Sequence, residues 1–427
     1  MKINCLIILT AFLATCTPIA QSSQTADGNP KELHLEDKAY ESQVKTIMLY
    51  PGSGSAEGVL TSATQLGQFN LRLAFDDLND QRDNFYAKVI HCNYDWTRSS
   101  LHDLDFMTDY NEFPINNFEF SVDTSVPYVH YWFDLPKVKL PGNYVLIVYR
   151  GSDKNDLILS KRFMVFDNRI TFSGGNNLVV SGSVAEINQQ LNFKISYKNL
   201  DVINPTENIK VVIRQNQRWD NMASGINPAF VREFDKELEY RFFDDSKMFK
   251  GGNEFRFFDL RSINYPGRNV QRVNKAQKPW EVFVEPDKSR EHESYSQYND
   301  LNGNFLIANL DYRDASFTNY VNVNFTLRSE PVDGGVYVAG GFNYWNNDET
   351  NRMTYDSVNR QYAAKFLLKQ GWYDYQYLVK SASLAPYVFE GSHFQTENDY
   401  EIFVYYKPFQ PRADLLIGYT RIAKNSR

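Results

Sequence analysis

The chain predicts an all-β protein made of tandem antiparallel β-sandwich domains, and three observations lead to that fold class. Aromatic residues form 15% of its 427 residues, and aromatic side chains favour the half-buried face of a pleated sheet. Many short runs alternate between apolar and polar residues and are separated by turn residues. The nearest approach to an amphipathic helix is a short segment at residues 103–110.

The first residues predict export. Lys2 is followed by an apolar run over residues 5–14, which is too short to span a bilayer and has the form of a secretory signal. No other stretch of the sequence approaches the roughly 18 uninterrupted apolar residues of a membrane-spanning helix. The polar residues 17–40 then predict a flexible tether between the signal and the folded body.

The sequence is consistent with two signal-peptide cleavage sites. The segment that ends in Thr15-Cys16 resembles a bacterial lipoprotein box, although Gly, Ala or Ser usually stands where Thr15 does. On this interpretation residues 1–16 hold the signal, and Cys16 becomes the lipidated first residue of the mature protein. The alternative is ordinary cleavage after Ala20, which discards Cys16.

The alternating runs that follow fall into three sets, each of which predicts one sandwich. The sets occupy residues 41–167, 168–299 and 300–427. The strands predicted for the first set are Phe69–Phe75, Phe85–Ile90, Phe118–Val122, Tyr128–Phe133, Tyr144–Tyr149 and Arg162–Phe166. Those of the second are Arg169–Phe172, Leu191–Tyr197, Ile209–Arg214, Glu237–Phe243, Phe255–Leu260, Asn269–Val273 and Trp280–Val284. Those of the third are Phe305–Ala308, Val321–Leu327, Gly335–Ala339, Gln361–Leu367, Tyr373–Val379, Tyr400–Tyr406 and Leu415–Tyr419.

Charge and cysteine content exclude some classes of function. The formal net charge of −7, without a basic block, argues against a nucleic-acid partner. Once Cys5 is removed and Cys16 is lipidated or removed, Cys92 is the only thiol, so neither an internal disulfide nor a cysteine zinc site is expected. Cys92 is not expected to be a nucleophile either, because His91 beside it on a strand points to the opposite face.

Nothing in the sequence predicts a catalytic residue, a metal or a cofactor. The acidic segments 76–83 and 300–304 carry oxygen ligands of the kind that Ca²⁺ prefers, but Asp, Asn and Gly also form turns, which is the favoured interpretation. The six histidines are scattered, and the usual nucleotide-binding and hydrolase motifs do not occur. An exported hydrolase stays open only because a sequence does not reveal carboxylate geometry.

Two aromatic segments in the third set suggest a binding function. Residues 335–345 form a strand and a Gly-rich bend that presents Phe342 and Trp345, and Trp372 follows the next alternating strand. These segments resemble the immunoglobulin-like early-set modules found next to glycogen-active enzymes, in which such rings can stack on sugars. The alternative function is therefore a periplasmic glycan-binding β-sandwich protein. The competing interpretation, which we favour, is that both tryptophans fill the sandwich core.

A series of longer segments is more specific than any single motif. They are Leu71–Leu78, Tyr86–Trp96, Asn143-Tyr144, Arg162–Val165, Gln215–Asn221, Gly251–Ser262 and Glu390–Asn398. In order and spacing they resemble the type IX secretion system plug protein family, over roughly residues 40–420. The resemblance implies a periplasmic, outer-membrane-associated protein without catalysis. Family members occlude the periplasmic opening of the giant β-barrel translocon when no cargo occupies it.

The resemblance also implies a partner, the large outer-membrane β-barrel of the type IX secretion system. The lipoprotein interpretation adds the inner leaflet of the outer membrane, which a lipid on Cys16 would contact. Two polar turns each contain a tryptophan, where a purely structural role is less expected. From these turns we take Tyr94, Trp96, Arg218 and Trp219 as candidate partner contacts, because aromatic residues and Arg are enriched in interface cores. A structural role for the four residues is the other interpretation.

Overall fold

The computed structural model describes residues 31–52, 60–68, 70–178, 187–241 and 248–424. Within these ranges the regular secondary structure is almost entirely β, arranged as three sandwiches, and this confirms the predicted fold class. Its helices are short: α1 (Asp103–Phe106), α2 (Pro205–Asn208) and the 3-10 helices Ala315–Phe317 and Gly341–Asn343. None of the helices in the described ranges is long and apolar enough to cross a membrane.

The first sandwich is formed by continuous chain. Its strands are β1 (Lys38–Ala39), β2 (Val44–Pro51), β3 (Ala63–Gln65), β4 (Leu71–Asp77), β5 (Phe85–Cys92), β6 (Phe113–Ile115), β7 (Asn117–Phe120), β8 (Val129–Asp134), β9 (Gly142–Arg150) and β10 (Leu157–Phe166). One sheet has the order β1-β10-β9-β5-β6, with β3 parallel to β10, and the other has the order β2-β4-β8-β7. Alternate side chains of both sheets, such as Leu73, Phe75 and Leu146, fill the core between them.

The second sandwich combines two distant parts of the chain. Its strands are β11 (Thr171–Leu178), β12 (Asn188–Gln189), β13 (Leu191–Ser196), β14 (Ile209–Gln215), β15 (Met222–Ala223), β16 (Phe230–Arg232), β17 (Glu237–Tyr240) and β18 (Phe249–Lys250), together with the C-terminal β29 (Asn398–Tyr406) and β30 (Leu415–Lys424). The sheets have the orders β11-β13-β17-β16 and β15-β14-β29-β30, with β12 paired to β18 beside them.

The third sandwich lies between these two parts in the sequence. Its strands are β19 (Arg256–Asp259), β20 (Val270–Asn274), β21 (Glu281–Val284), β22 (Asp287–Lys288), β23 (Phe305–Ile307), β24 (Tyr320–Arg328), β25 (Gly335–Ala339), β26 (Thr354–Asp356), β27 (Gln361–Lys369) and β28 (Gly371–Lys380). One sheet has the order β19-β28-β23, with β25 also on β28, and the other β20-β21-β24-β27-β26, with β22 on β24. The apolar residues of β24 alternate with polar ones, and the apolar set is buried.

The strand pairing differs from the predicted division at residues 168–299 and 300–427. Strands β19 to β22 complete the third sandwich, and β29 with β30 complete the second. Strand β29 pairs with the whole of β14, from Ile209 opposite Tyr406 to Gln215 opposite Tyr400. The physical reason is that alternation shows where a strand is but not which distant strand it pairs with. The chain therefore passes between the second and third sandwiches twice.

The predicted tether is also shorter than residues 17–40, because residues 31–40 lie against the first sandwich. Strand β1 pairs with β10, and Tyr40 is 6% exposed. The ammonium group of Lys31 is buried and contacts the carboxylates of Glu41, at 2.5 Å, and Asp156. Residues 17–30 lie outside the described residues, as does Phe69, the first residue of a predicted strand.

The first sandwich is covered on both outer faces. The outer side chains of β9, which include Val145, Ile147 and Tyr149, pack with Phe403 and Tyr405 of β29 in one cluster. Both strands are consequently buried on both faces along nearly their whole length. On the opposite side, Met48, Tyr50 and Ala74 of the first sandwich belong to the core cluster of the third. The three sandwiches therefore form one packed body.

Candidate functional site

The structure brings Trp96 and Trp219, predicted from separate turns, into contact with each other. Trp96 ends the turn after β5 and is 5% exposed, and Trp219 lies in the turn after β14. Their rings meet edge to face, with centroids 4.9 Å apart and an interplanar angle of 81°. Edge-to-face packing places the positive edge of one ring on the negative face of the other. The contact joins the first sandwich to the second.

Two arginines complete this contact. The guanidinium of Arg162 lies 4.5 Å from the ring centroid of Trp96 and 5.5 Å from that of Trp219. Arg214 lies 4.3 Å from Trp219 and is 1% exposed. Its charge is balanced by Glu401, whose two carboxylate oxygens accept from Nε at 2.6 Å and Nη2 at 3.1 Å. We call these five residues the Trp–Arg stack; each desolvated cation–π contact in it contributes up to about 2 kcal/mol.

Arg218 lies at the contact between the second and third sandwiches. Its guanidinium lies 4.1 Å from the ring centroid of Trp345, and Asp220 accepts from Arg218 Nε at 3.1 Å and Nη2 at 2.6 Å. Trp345 is 6% exposed and also packs on Phe255, with ring centroids 5.6 Å apart. Gly303 has a φ of +80°, and a Cβ there would collide with the indole of Trp345. The enclosed ring of Trp345 favours the core interpretation over sugar stacking.

The fully buried carboxylate of Asp374 and the half-buried carboxylate of Asp300 lie next to this contact. Asp300 accepts the backbone N–H of Phe255 at 2.6 Å, and Asp374 accepts that of Gly303 at 3.2 Å and the indole N–H of Trp372 at 2.9 Å. Burial, together with repulsion by Asp374, raises the pKa of Asp300 to about 8. Burial raises the pKa of Asp374 to about 7. The pair therefore retains a proton near neutral pH, and the structure gives the 300–304 segment a structural role as a turn.

The remaining candidates are half-buried. The backbone N–H of Tyr94 donates to Asp414 Oδ2 at 3.2 Å, and its ring packs against Tyr405, 6.2 Å away. Trp372 stacks on Phe257, with centroids 4.4 Å apart and an interplanar angle of 11°.

Phe342 packs edge to face on Tyr373, 5.6 Å away. Trp345 and Trp372 each pack on a different residue of the third sandwich, so the described structure does not present the two indoles side by side as a platform for a sugar.

The sequence did not predict an ionic cluster between the first and third sandwiches. Asp76 lies in β4 and is completely buried; it accepts hydrogen bonds from His130 Nδ1 at 2.6 Å, Lys369 Nζ at 2.7 Å and the hydroxyl of Tyr320 at 2.6 Å. Burial alone would raise the pKa of Asp76, but the charge of Lys369 and the contact with His130 outweigh it and lower the pKa to about 2. Asp76 is therefore ionised, and because it lies buried within β4 it is neither a turn residue nor a ligand in an exposed loop. The one available signal was its position in the alternating run, on the face opposite Leu73 and Phe75.

The other predictions concern sulfur chemistry and metals. Cys92 is fully buried, and burial raises the pKa of its thiol to about 12, which is the behaviour of a structural thiol. Within the described part of the chain, no three His, Cys, Asp or Glu side chains lie together as a metal site. Cys16, the predicted lipid attachment site, lies outside the described residues.

Comparisons with known proteins agree with this architecture. Residues 44–167, which correspond to the first sandwich, match the family model described as the type 9 secretion system plug protein 1st domain. A solved structure, that of a hypothetical protein from Parabacteroides merdae ATCC 43184, is similar over 92% of this chain and 100% of its own, with a TM-score of 0.84 and 28% identity. Among curated proteins, none matches the chain.

Proposed function

We propose that the protein is a non-catalytic plug of the secretion translocon, because residues 44–167 match the family model of the first domain of type 9 secretion system plug proteins. It occludes the periplasmic opening of the outer-membrane β-barrel when no cargo fills it. The family match is the observation that carries this proposal. The protein lies in the periplasm, associated with the outer membrane, and a lipid on Cys16 anchors it to the inner leaflet of that membrane.

The internal contacts support this role, because a plug must keep its shape against the opening it closes. The first sandwich is held on one face by the second and on the other by the third. The third sandwich is connected to the second by two chain passages, so it cannot swing on a single linker. The Trp–Arg stack and the Asp76 cluster reinforce these two interfaces. We therefore assign Trp96 and Trp219 to the rigidity of the plug, while Tyr94 and Arg218, which are half-buried, stay candidates for partner contact.

The proposal is tested by purification from the native membrane. A C-terminally tagged full-length chain, extracted in mild detergent, is expected to bring down a very large β-barrel. An unrelated tagged lipoprotein of the same membrane is the control. Recovery of no barrel, or equal recovery with the control, would contradict the proposal.

A second experiment tests occlusion itself. The barrel, purified without this protein and inserted into a planar bilayer, is expected to conduct ions, and addition of the protein to the periplasmic side is expected to lower the conductance. Binding without a change in conductance would show an accessory subunit and not a plug.

The contact surface can be mapped with a photo-crosslinking residue on each sandwich. Three exposed aromatic positions serve: Tyr110 on the first, Phe234 on the second and Tyr265 on the third, with exposed fractions of 79%, 106% and 80%. The sandwich that faces the barrel should crosslink to it and the others should not.

Lipidation is tested separately by the intact mass of the membrane-extracted protein. The mass should include a diacyl or triacyl group on Cys16, and a Cys16→Ala variant should lack it.

A further inference from the structure

A cleft of about 460 Å³ lies between the first and third sandwiches. One wall is the outer face of strands β2, β4, β7 and β8, and the other is the segment 307–318, which includes a 3-10 helix. Its volume falls in the range of pockets that hold small organic ligands. It is distinct from the Trp–Arg stack, which lies on the opposite face of the first sandwich.

The floor of the cleft contains two polar groups with unused hydrogen-bonding capacity. The side chain of Lys369 is 6% exposed, and of its three N–H bonds one donates to Asp76 Oδ2 at 2.7 Å. The ring of Tyr128 lies 4.2 Å from the Lys369 ammonium. His130 uses Nδ1 to contact Asp76, which leaves Nε2 on the side of the ring away from that carboxylate.

The walls of the cleft are aromatic and its mouth is cationic. The apolar lining side chains are Met48, Tyr50, Phe120, Trp132, Ile307 and Tyr312. Phe120 and Tyr312 are 47% and 53% exposed, so their rings stand at the mouth. Arg72 and Arg313 also line the cleft; Arg72 is paired with Asp134, whereas the described residues offer Arg313 no ion pair. Glu119 is the single carboxylate among the lining residues.

We propose that this cleft binds an aromatic carboxylate. The carboxylate accepts hydrogen bonds from Lys369 Nζ, and the apolar body of the ligand packs against Tyr50 and Trp132. An anion is favoured over a neutral group because Lys369 keeps two N–H bonds that Asp76 does not use, and because Arg313 adds a cation that offsets the carboxylate of Glu119. The same chemistry is offered by a free aromatic acid and by the C-terminal residue of a polypeptide, and the proposal does not depend on the role in secretion.

Calorimetric titration of the full-length protein distinguishes the two sources. The free acid is represented by 3-phenylpropionate and the polypeptide end by N-acetyl-Ala-Ala-Phe, each compared with its C-terminal amide. Because a hydrogen bond to a charged group contributes about 1.5–3 kcal/mol, each acid should bind about 10- to 100-fold more tightly than its amide. Absence of binding by both acids at millimolar concentration, or equal binding of acid and amide, would overturn the proposal.

Variants locate the site. Lys369→Met should reduce acid binding to the level of the amide, and Lys365→Met is the matched control, since Lys365 lies on the same strand and pairs with the half-exposed Glu281. If Lys369→Met leaves Asp76 uncompensated and unfolds the protein, the double variant Asp76→Asn, Lys369→Met removes both charges and is used instead. Acid binding that survives in the folded variant would place the ligand elsewhere and overturn the proposal.

Discussion

The first sandwich contacts its two neighbours through interfaces of different chemistry. Towards the second sandwich, the Trp–Arg stack joins indole rings to guanidinium groups and lies beside an apolar cluster that both sandwiches share. Towards the third sandwich, a fully buried carboxylate, Asp76, is held by a lysine, a histidine and a tyrosine. Removal of a ring mainly leaves a cavity, whereas removal of one charge leaves its partner buried and uncompensated. The two interfaces should therefore respond differently to mutation and to pH.

The largest effect is expected from breaking the ionic interface. Asp76→Asn leaves the ammonium of Lys369 buried without its counter-ion, so the free energy of unfolding should fall by about 3–5 kcal/mol. Denaturant unfolding measures this loss. The double variant Asp76→Leu, Lys369→Met should recover most of the stability, because it leaves no charge without a partner. A double variant as unstable as the single one would show that the cluster acts by shape and not by charge.

The next effect is expected from the aromatic interface. Trp219→Ala removes the ring that contacts Trp96, Phe403 and two arginines, and should lower the free energy of unfolding by about 3 kcal/mol. Phe234→Ala is the control, because that side chain is fully exposed and should change stability by less than about 0.5 kcal/mol. Equal losses of stability in the two variants would contradict the prediction that the Trp–Arg stack stabilises the protein.

The third prediction uses pH to separate the contacts. The raised pKa values of Asp300 and Asp374 give stability that is complete below pH 3.8 and is lost as pH rises through about 7 and 8. Asp76 has the opposite sign: its contribution is present above pH 3.8 and is lost as pH falls through about 2.

Between pH 4 and 8 the free energy of unfolding should therefore fall as pH rises, because both carboxyls are ionised in the unfolded chain while the folded pair still holds its proton. Asp374→Asn imitates the protonated acid and should flatten this slope, while Asp356→Asn, at the end of β26, should not, because the hydrogen bonds of Asp356 to Asn359 lower its pKa. Unfolding curves measured across this pH range test the prediction, and a slope unchanged in Asp374→Asn would refute it.

The smallest effect is expected at the contact between the second and third sandwiches. Arg218→Ala removes the guanidinium from the ring of Trp345, and a contact of this kind contributes about 1 kcal/mol. Arg352→Ala, which breaks an exposed pair with Glu349, is the matched control and should cost about 0.3 kcal/mol. Both losses are read as shifts of the denaturant midpoint, and a larger loss in the control would reverse the ranking of the contacts.

Most strands could be predicted because their pattern is local. In β13 the apolar Leu191, Phe193 and Ile195 are buried and the residues between them are half-buried, as the alternation indicates. The continuous apolar run of β9 carried a further signal, since a strand without alternation is covered on both faces. That signal predicts a covered sheet but not what covers it, and here the cover is β29, more than 200 residues later in the chain.

The candidate site was predicted only in part, for a similar reason. The turns around Trp96 and Trp219 stood out because large aromatic rings are unusual among polar turn residues. Nothing in the sequence indicates that the two rings contact each other, or that Arg218 lies over Trp345. The buried role of Asp76 was not predicted, because the acidic residues that follow it in the sequence are also typical of an ordinary turn. Its partners Lys369 and Tyr320 lie in another sandwich.

The sequence by itself determined the all-β class, the positions of most strands and a core filled with aromatic rings instead of disulfides, because side-chain alternation and composition act within a few residues of chain. The tertiary structure decided which strands complete which sandwich and which side chains meet at their contacts. These choices depend on burying faces and balancing charges between residues hundreds of positions apart, and no local pattern records them. The sequence of the third sandwich is consequently inserted between the two parts of the second. Trp96 and Trp219, from the polar turns, pack together at the contact between the first and second sandwiches.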